Sequence, residues 1–181
     1  MSAHGAEAMM EAKQADQEEL IDRLKHISLF SAIRNDPHYM EHLLAICSRR
    51  LFRANEEIIR EGDLGSTMYI LTKGEVTIRK RTRAGDSYTV LNLRAEANVF
   101  FGELALIDDD RRSATVIAAT DAECLEMTKA SFLALGDEHP QVGLPVTREI
   151  ARILSGRLRK TTEDMMTIFD ALVNELKGDT A

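Results

Sequence analysis

Apolar residues change their spacing several times along this chain, and each change marks a different kind of element. Leu20, Ile21, Leu24 and Ile27 recur at helical intervals, which predicts a helix within about residues 7–25. Residues 1–18 are rich in Ala, Glu, Gln and Met and show no clear apolar face, so they are expected to form a flexible extension. Pro37 marks a break. Met40, Leu43, Leu44 and Cys47 then fit a second helix, with Asp36 placed to cap it, so residues 19–50 read as an N-terminal helical module. From Leu51 to Met127 the texture becomes short apolar runs between turns. Ile58-Ile59 and Met68 to Leu71 are bounded by Glu-Gly-Asp and Lys-Gly-Glu, and Val76 to Arg79 alternates. Arg83-Ala84-Gly85-Asp86 reads as a hairpin tip leading into Tyr88 to Leu93, while Val116 to Ala119 and Glu123 to Met127 complete the set. Many short antiparallel strands at this spacing predict a β-roll, a jelly-roll barrel over residues 51–127.

Beyond the strands, in residues 128–181, helical spacing returns. Lys129 to Leu135 predicts a helix stopped by Gly136, and Pro140 to Pro145 an irregular link. A long helix is expected over 146–177. Within it Leu158, Thr162, Met165, Phe169, Leu172 and Leu176 are separated by alternating steps of four and three. That alternation is a heptad seam and predicts a left-handed helix pair, hence a homodimer, over a helix merely lying along the barrel. Threonine interrupts the seam at Thr161 and Thr162, where a polar group costs stability unless it has a partner. The expected fold class is therefore mixed α+β, an antiparallel roll flanked by N-terminal helices and a long C-terminal helix.

Composition narrows the function. With 181 residues there is room for one domain with a sizeable core and terminal extensions. A formal charge of −7 argues against a surface built to attract nucleic acid. The basic group Arg79-Lys80-Arg81-Arg83 fits a solvated hairpin edge better than a nucleic-acid patch. No apolar run is long enough to span a bilayer, and the N-terminus has no signal-peptide core, which points to the cytoplasm. Cys47 and Cys124 are isolated and form neither a disulfide framework nor a zinc pattern. Metal-dependent enzymes on jelly-roll barrels need histidines on the strands. His4, His26, His38, His42 and His139 all lie outside the strand region, and no nucleophile–base pair stands out, so neither a metal cofactor nor an enzyme is expected.

The candidate chemistry lies in residues 100–115, Phe-Phe-Gly-Glu-Leu-Ala-Leu-Ile-Asp-Asp-Asp-Arg-Arg-Ser-Ala-Thr. Gly102 permits close backbone approach, and the apolar residues after it fit one helical turn with free amides at its start. Such amides, with Arg112 arriving from the next segment, make an anion site, and Glu103 can accept hydrogen bonds from hydroxyl groups. An anion beside a hydroxyl describes a sugar phosphate. A structural turn with a solvated arginine accounts for the same residues.

Gly102-Glu103-Leu104-Ala105-Leu106 followed by Arg112-Ser113-Ala114-Thr115 closely resembles the phosphate-binding cassette of cyclic nucleotide-binding domains. Glu61-Gly62-Asp63, Gly65-Ser66, Tyr69-Ile70-Leu71 and Gly74-Glu75-Val76 resemble the same family's glycine-marked strand pair, and Leu29-Phe30 its opening helical module. The resemblance spans roughly residues 27–162. It implies that Arg112 pairs with a cyclic phosphate and that Glu103 takes a ribose 2′-hydroxyl. Phe101, Gly102, Leu104 and Ala105 complete the cassette, with phosphate contacts from the amides near Leu104 and Ala105. Ser113 and Ala114 follow the arginine, and the Ser113 hydroxyl is a further phosphate contact.

Arg157-Leu158-Arg159-Lys160-Thr161-Thr162-Glu163 resembles the central helix of the catabolite activator branch, whose Thr-Ser pair contacts the adenine amino group across two subunits. Thr161 and Thr162 fall at those positions, and Ser113 matches that branch too, so cAMP is favoured over cGMP as ligand. Two departures stand out. Ala97-Asn98 replaces a glycine ahead of the cassette, and Asp108-Asp109-Asp110 places three carboxylates near Arg112. The acidic tail, Glu163 to Ala181, carries no second helix-turn-helix unit, so direct DNA binding is not expected and output passes through an unidentified downstream protein. The competing reading is a ligand-independent dimerisation or scaffold module that retains the fold. A buried acid and arginine are costly without partners, which favours the sensor.

Overall fold

The computed structural model describes residues 3–178. Helix α1 (Ala3–His26) is followed by a 3-10 turn at Ser28–Phe30 and by α2 (Pro37–Ala45). Asp36 caps α2 as its sequence position predicts, its carboxylate accepting from the amides of His38 and Tyr39 at 3.0 and 3.3 Å. Helix α1 starts earlier than expected, at Ala3, within the stretch assigned to an extension. Residues 9–19 of it are exposed throughout, and one tie along them is the Asp16–Arg49 ion pair at 2.7 Å. Cys47, assigned to the second helix by its spacing, instead opens strand β1 (Cys47–Phe52). Its Sγ donates to the Leu43 carbonyl at 3.2 Å, so the residue still closes the helix end while its backbone pairs with Met127.

The remaining strands are β2 (Glu57–Ile59), β3 (Thr67–Lys73), β4 (Glu75–Arg81), β5 (Ser87–Arg94), β6 (Phe100–Phe101), β7 (Thr115–Ala118) and β8 (Ala122–Thr128). They form two antiparallel sheets of four, ordered β1-β8-β3-β6 and β2-β7-β4-β5. At the centre of the first sheet β3 is covered on both faces and buried from Met68 to Leu71, which is why it reads as a short apolar run, and β8 beside it is buried from Ala122 to Leu125. Met68 and Ile70 of β3 face the helices, where they join Leu24, Phe30, Leu43 and Ile150. Tyr69 and Leu71 turn the other way, into the inter-sheet cluster with Phe52, Val76, Phe101 and Cys124. Burial pushes both thiols up to about 12, which keeps Cys47 and Cys124 in the unreactive protonated form.

The C-terminal helices correct two expectations. Helix α3 (Lys129–Glu138) runs through Gly136 instead of stopping there, and α4 (Pro140–Gly178) is one helix of 39 residues that includes Pro145. The reason is a close crossing. A Cβ on Gly143 would lie 2.4 Å from the Gly136 Cα, so the two glycines let α3 and α4 touch backbone to backbone. Pro145 lies in the second turn of α4, where a lost intrahelical bond is outweighed by burial of Val142, Val146 and Ile150. Gly143→Ala is therefore expected to force the helices apart. It should lower stability by about 1–3 kcal/mol despite alanine's better helix propensity, measured as a reduced midpoint in denaturant.

Candidate ligand-binding site

Arg112 reaches the site on the segment between the cassette turn and β7, and its backbone is pinned from both sides. Its amide donates to the Asp63 carbonyl at 2.8 Å, and its own carbonyl accepts from the Gly62 amide at 2.9 Å. Gly62 takes φ 89°, the left-handed region that the Glu-Gly-Asp turn requires. Neighbouring contacts brace the same turn: the Arg111 guanidinium donates to the Gly62 carbonyl at 2.6 Å, and the Glu61 amide to Thr115 Oγ1 at 3.0 Å.

The Arg112 side chain then runs between two glycines. A Cβ on Gly65 would lie 2.3 Å from its Nε, and one on Gly102 would lie 2.9 Å from Nη1. Gly102 also sits at φ 78°, so sterics and backbone conformation both call for glycine there. Nη2 donates to Thr67 Oγ1 at 2.8 Å, and Nη1 to the Gly102 carbonyl at 3.3 Å. Thr67 Oγ1 donates in turn to the Tyr69 hydroxyl at 3.3 Å, and the Tyr69 ring stacks on Phe101 with centroids 5.5 Å apart. Among the described residues, the hydrogen-bond partners of the Arg112 side chain are thus neutral. Among the described residues it makes no ion pair, and burial pushes its pKa down. A half-buried guanidinium with only neutral partners has donors in place and its charge uncompensated, the condition in which an anion binds best.

Glu103 opens a 3-10 turn, Glu103–Leu106, directly after Gly102 and is buried at 4% exposure. Its carboxylate pairs with the Arg157 guanidinium, which reaches in from α4. Leu104 is half-buried and Ala105 buried in the same turn. The Ala105 amide is already engaged, donating to the Gly102 carbonyl at 3.2 Å. Ser113 is exposed and Ala114 half-buried in the bend that leads into β7. Asn98 takes φ 51°, so it occupies the left-handed position that glycine was expected to fill. The acidic run is partly neutralised: Lys129 Nζ donates to Asp109 at 2.7 Å and to the Asp108 carbonyl at 3.1 Å.

The structure thus brings Arg112 against Gly102, beside Phe101, Glu103, Leu104 and Ala105, with Ser113 and Ala114 following Arg112 into β7; Phe101, Glu103 and Ala105 are buried. It does not bring Thr161 and Thr162 there within a single chain. Both are exposed on α4, about 6 Å beyond Arg157 along the axis, and Thr162 Oγ1 donates to the Leu158 carbonyl at 3.0 Å. Sequence reasoning missed Arg157 and Thr67 as partners. The signal for Arg157 was present, since it lies four residues before Thr161 on one helix face and a buried acid needs a basic partner. Among the described residues no group of three or more His, Cys, Asp or Glu is arranged to hold a metal ion. No helix there is long and apolar enough to cross a membrane.

The chain is thus a two-sheet roll carrying a short helical turn, in which an arginine passes between two glycines and a buried acid pairs with the long C-terminal helix. The sequence profile of the cyclic nucleotide-binding domain matches residues 49–139, and this chain belongs to that family. It is 32% identical over 124 residues to the cyclic AMP receptor protein of Thermus thermophilus, covering 68% of this chain and 55% of that protein. Against cGMP-dependent protein kinase 2 of Mus musculus it is 33% identical over 125 residues, covering 68% of this chain and 16% of the kinase. The crystal structure of the Thermus thermophilus catabolite activator protein superposes with a TM-score of 0.69 at 28% identity, covering 78% of this chain and 62% of that one. The chain thus spans little more than half the length of that receptor protein and a small part of the kinase.

Proposed function

We propose that this protein is a cyclic nucleotide sensor that prefers cAMP to cGMP and acts by binding, with no reaction of its own. The observation that carries the reading is Arg112, a half-buried cation held between Gly65 and Gly102 with neutral partners alone. A cyclic phosphate supplies the missing negative charge. Glu103 would accept from the ribose 2′-hydroxyl, and the cassette amides and Ser113 would take the remaining phosphate oxygens, with the Ala105 amide exchanging its bond to Gly102. The preference for cAMP rests on Ser113 after the arginine and on the paired hydroxyls of Thr161 and Thr162. Relatives named for each nucleotide, the cyclic AMP receptor protein and the cGMP-dependent kinase, match at similar identity, so the preference needs direct measurement. Calorimetric titration with both nucleotides tests the reading. Saturable binding with cAMP tighter than cGMP is expected, and heat of dilution alone for both would overturn it.

One observation favours a ligand-independent dimerisation module. Glu103 already has its counter-charge in Arg157, so the cost of burying this acid is met within the chain, and only Arg112 still calls for a ligand. The same titration separates the two readings.

In the sensor reading, α4 carries the signal. Exposed Leu158, Met165, Phe169 and Leu172 line one face of that helix and would pair with a second copy, which would place Thr161 and Thr162 beside a bound purine. Ligand and dimer should then be linked reciprocally, with a coupling of about 1–3 kcal/mol. The dimer dissociation constant is expected to shift with saturating cAMP, and the shift to vanish in a Thr161→Ala, Thr162→Ala variant. Equal constants in the parent would remove the coupling. A surface altered in this way would be read by a downstream protein.

A further inference from the structure

Away from the cassette, three imidazoles lie in a row where the N-terminal module meets the C-terminal helices. His38 and His42 stand four residues apart on α2, with Nε2 atoms 3.0 Å apart. The His42 ring packs on His139, at the junction of α3 and α4, with centroids 4.0 Å apart. Two neutral imidazoles can share one proton at that distance, as Nε2–H donating to Nε2. The same geometry suits a second use. Two imidazole nitrogens on one zinc-class ion, each about 2.0–2.1 Å from it, are separated by about 3.3 Å at a tetrahedral angle and about 2.9 Å at a right angle. The observed separation lies between those values before any ion arrives.

We propose that His38 and His42 form a chelate site for a divalent transition-metal ion of the zinc class. The helix fixes their spacing. The tilted contact with the His139 ring limits rotation of the His42 ring, so less freedom is lost on binding. Outside the pair, the Glu41 carboxylate lies 3.9 Å from His38 Nδ1, the nitrogen that a coordinated histidine turns toward a carboxylate. The chain's net charge of −7 also draws cations. Both rings reach solvent, so the ion needs no opening of the fold, whereas the thiols that would compete for it are held protonated by burial. Two protein donors, rather than the four of a structural zinc site or the three of a catalytic one, make this a weaker, exchangeable site. It is independent of the nucleotide site and of that reading's success.

The test uses the full chain without a polyhistidine tag, titrated with Zn²⁺ in a calorimeter, with thermal melting measured in parallel. One equivalent should bind and raise Tm. His38→Ala and His42→Ala should each weaken binding by at least the roughly tenfold that loss of even an outer partner costs, and should abolish the Tm rise. His26→Ala, on α1 and bonded locally to the Asp22 carbonyl, serves as control and should bind as the parent does. Melting of each variant without metal verifies its fold, which substitutions at solvent-reaching rings on α2 should preserve. No saturable Zn²⁺ binding by the parent, or binding that survives in the double variant, would overturn the proposal.

Discussion

Arg112→Ala is expected to abolish tight cyclic nucleotide binding. The substitution leaves a phosphate charge unpaired in a partly dry site, a loss of roughly 2–5 kcal/mol, or at least about thirtyfold in affinity. It also frees Thr67 Oγ1 and the Gly102 carbonyl, both of which can turn to water, so the roll should remain folded. Arg112→Lys sharpens the test. Lysine keeps the charge but not the planar fork that holds Thr67 and Gly102 while facing a phosphate, so it should recover only part of the affinity. Calorimetry with cAMP measures both variants, and circular dichroism checks their folding. Parent-like affinity in Arg112→Ala would place the ligand elsewhere.

The second large effect is expected at the opposite end of the molecule. If the proposed dimer forms through α4, Phe169→Glu should leave the chain monomeric in light scattering. The phenyl ring is 58% exposed in a single chain, in line with Leu158, Met165 and Leu172 on the same helix face. A carboxylate at that position meets its own copy across a parallel pair, adding repulsion and desolvation to the lost apolar contact. The variant should keep its cassette, because α4 passes Glu103 at Arg157, three turns earlier. Residual nucleotide binding by the monomer would separate the ligand site from the assembly. A parent chain that is monomeric at high micromolar concentration would remove the dimer altogether.

Much of the architecture was legible because it rests on short-range chemistry. The turn glycines, the Asp36 cap and the strand runs are each set by a few neighbouring residues, and the structure places them accordingly. The C-terminal boundaries were misread because Gly136, Gly143 and Pro145 carry the local signature of a helix end. Their meaning here is tertiary: two glycines allow one helix to cross another, and buried valines hold a helix through its proline. Cys47 was misassigned for a similar reason, since helical spacing continued into a residue whose backbone pairs with β8. At the site, identities within the cassette were readable from one stretch of sequence. Partners drawn from distant segments, Thr67 for Arg112 and Arg157 for Glu103, depend on how the chain returns on itself.

Strand β3, whose successive side chains enter two different clusters, makes the roll and the helical module share a wall. Met68 and Ile70 lock into one side, Tyr69 and Leu71 into the other, and β6 of the cassette is bonded along its edge. A slip of one position would exchange the two sets, so the wall has no neighbouring arrangement to move to. What leans on that wall is the cassette turn on one side and the helices on the other. In the sensor reading, the wall would be the fixed frame against which a shift at Glu103, paired with Arg157, would displace α4.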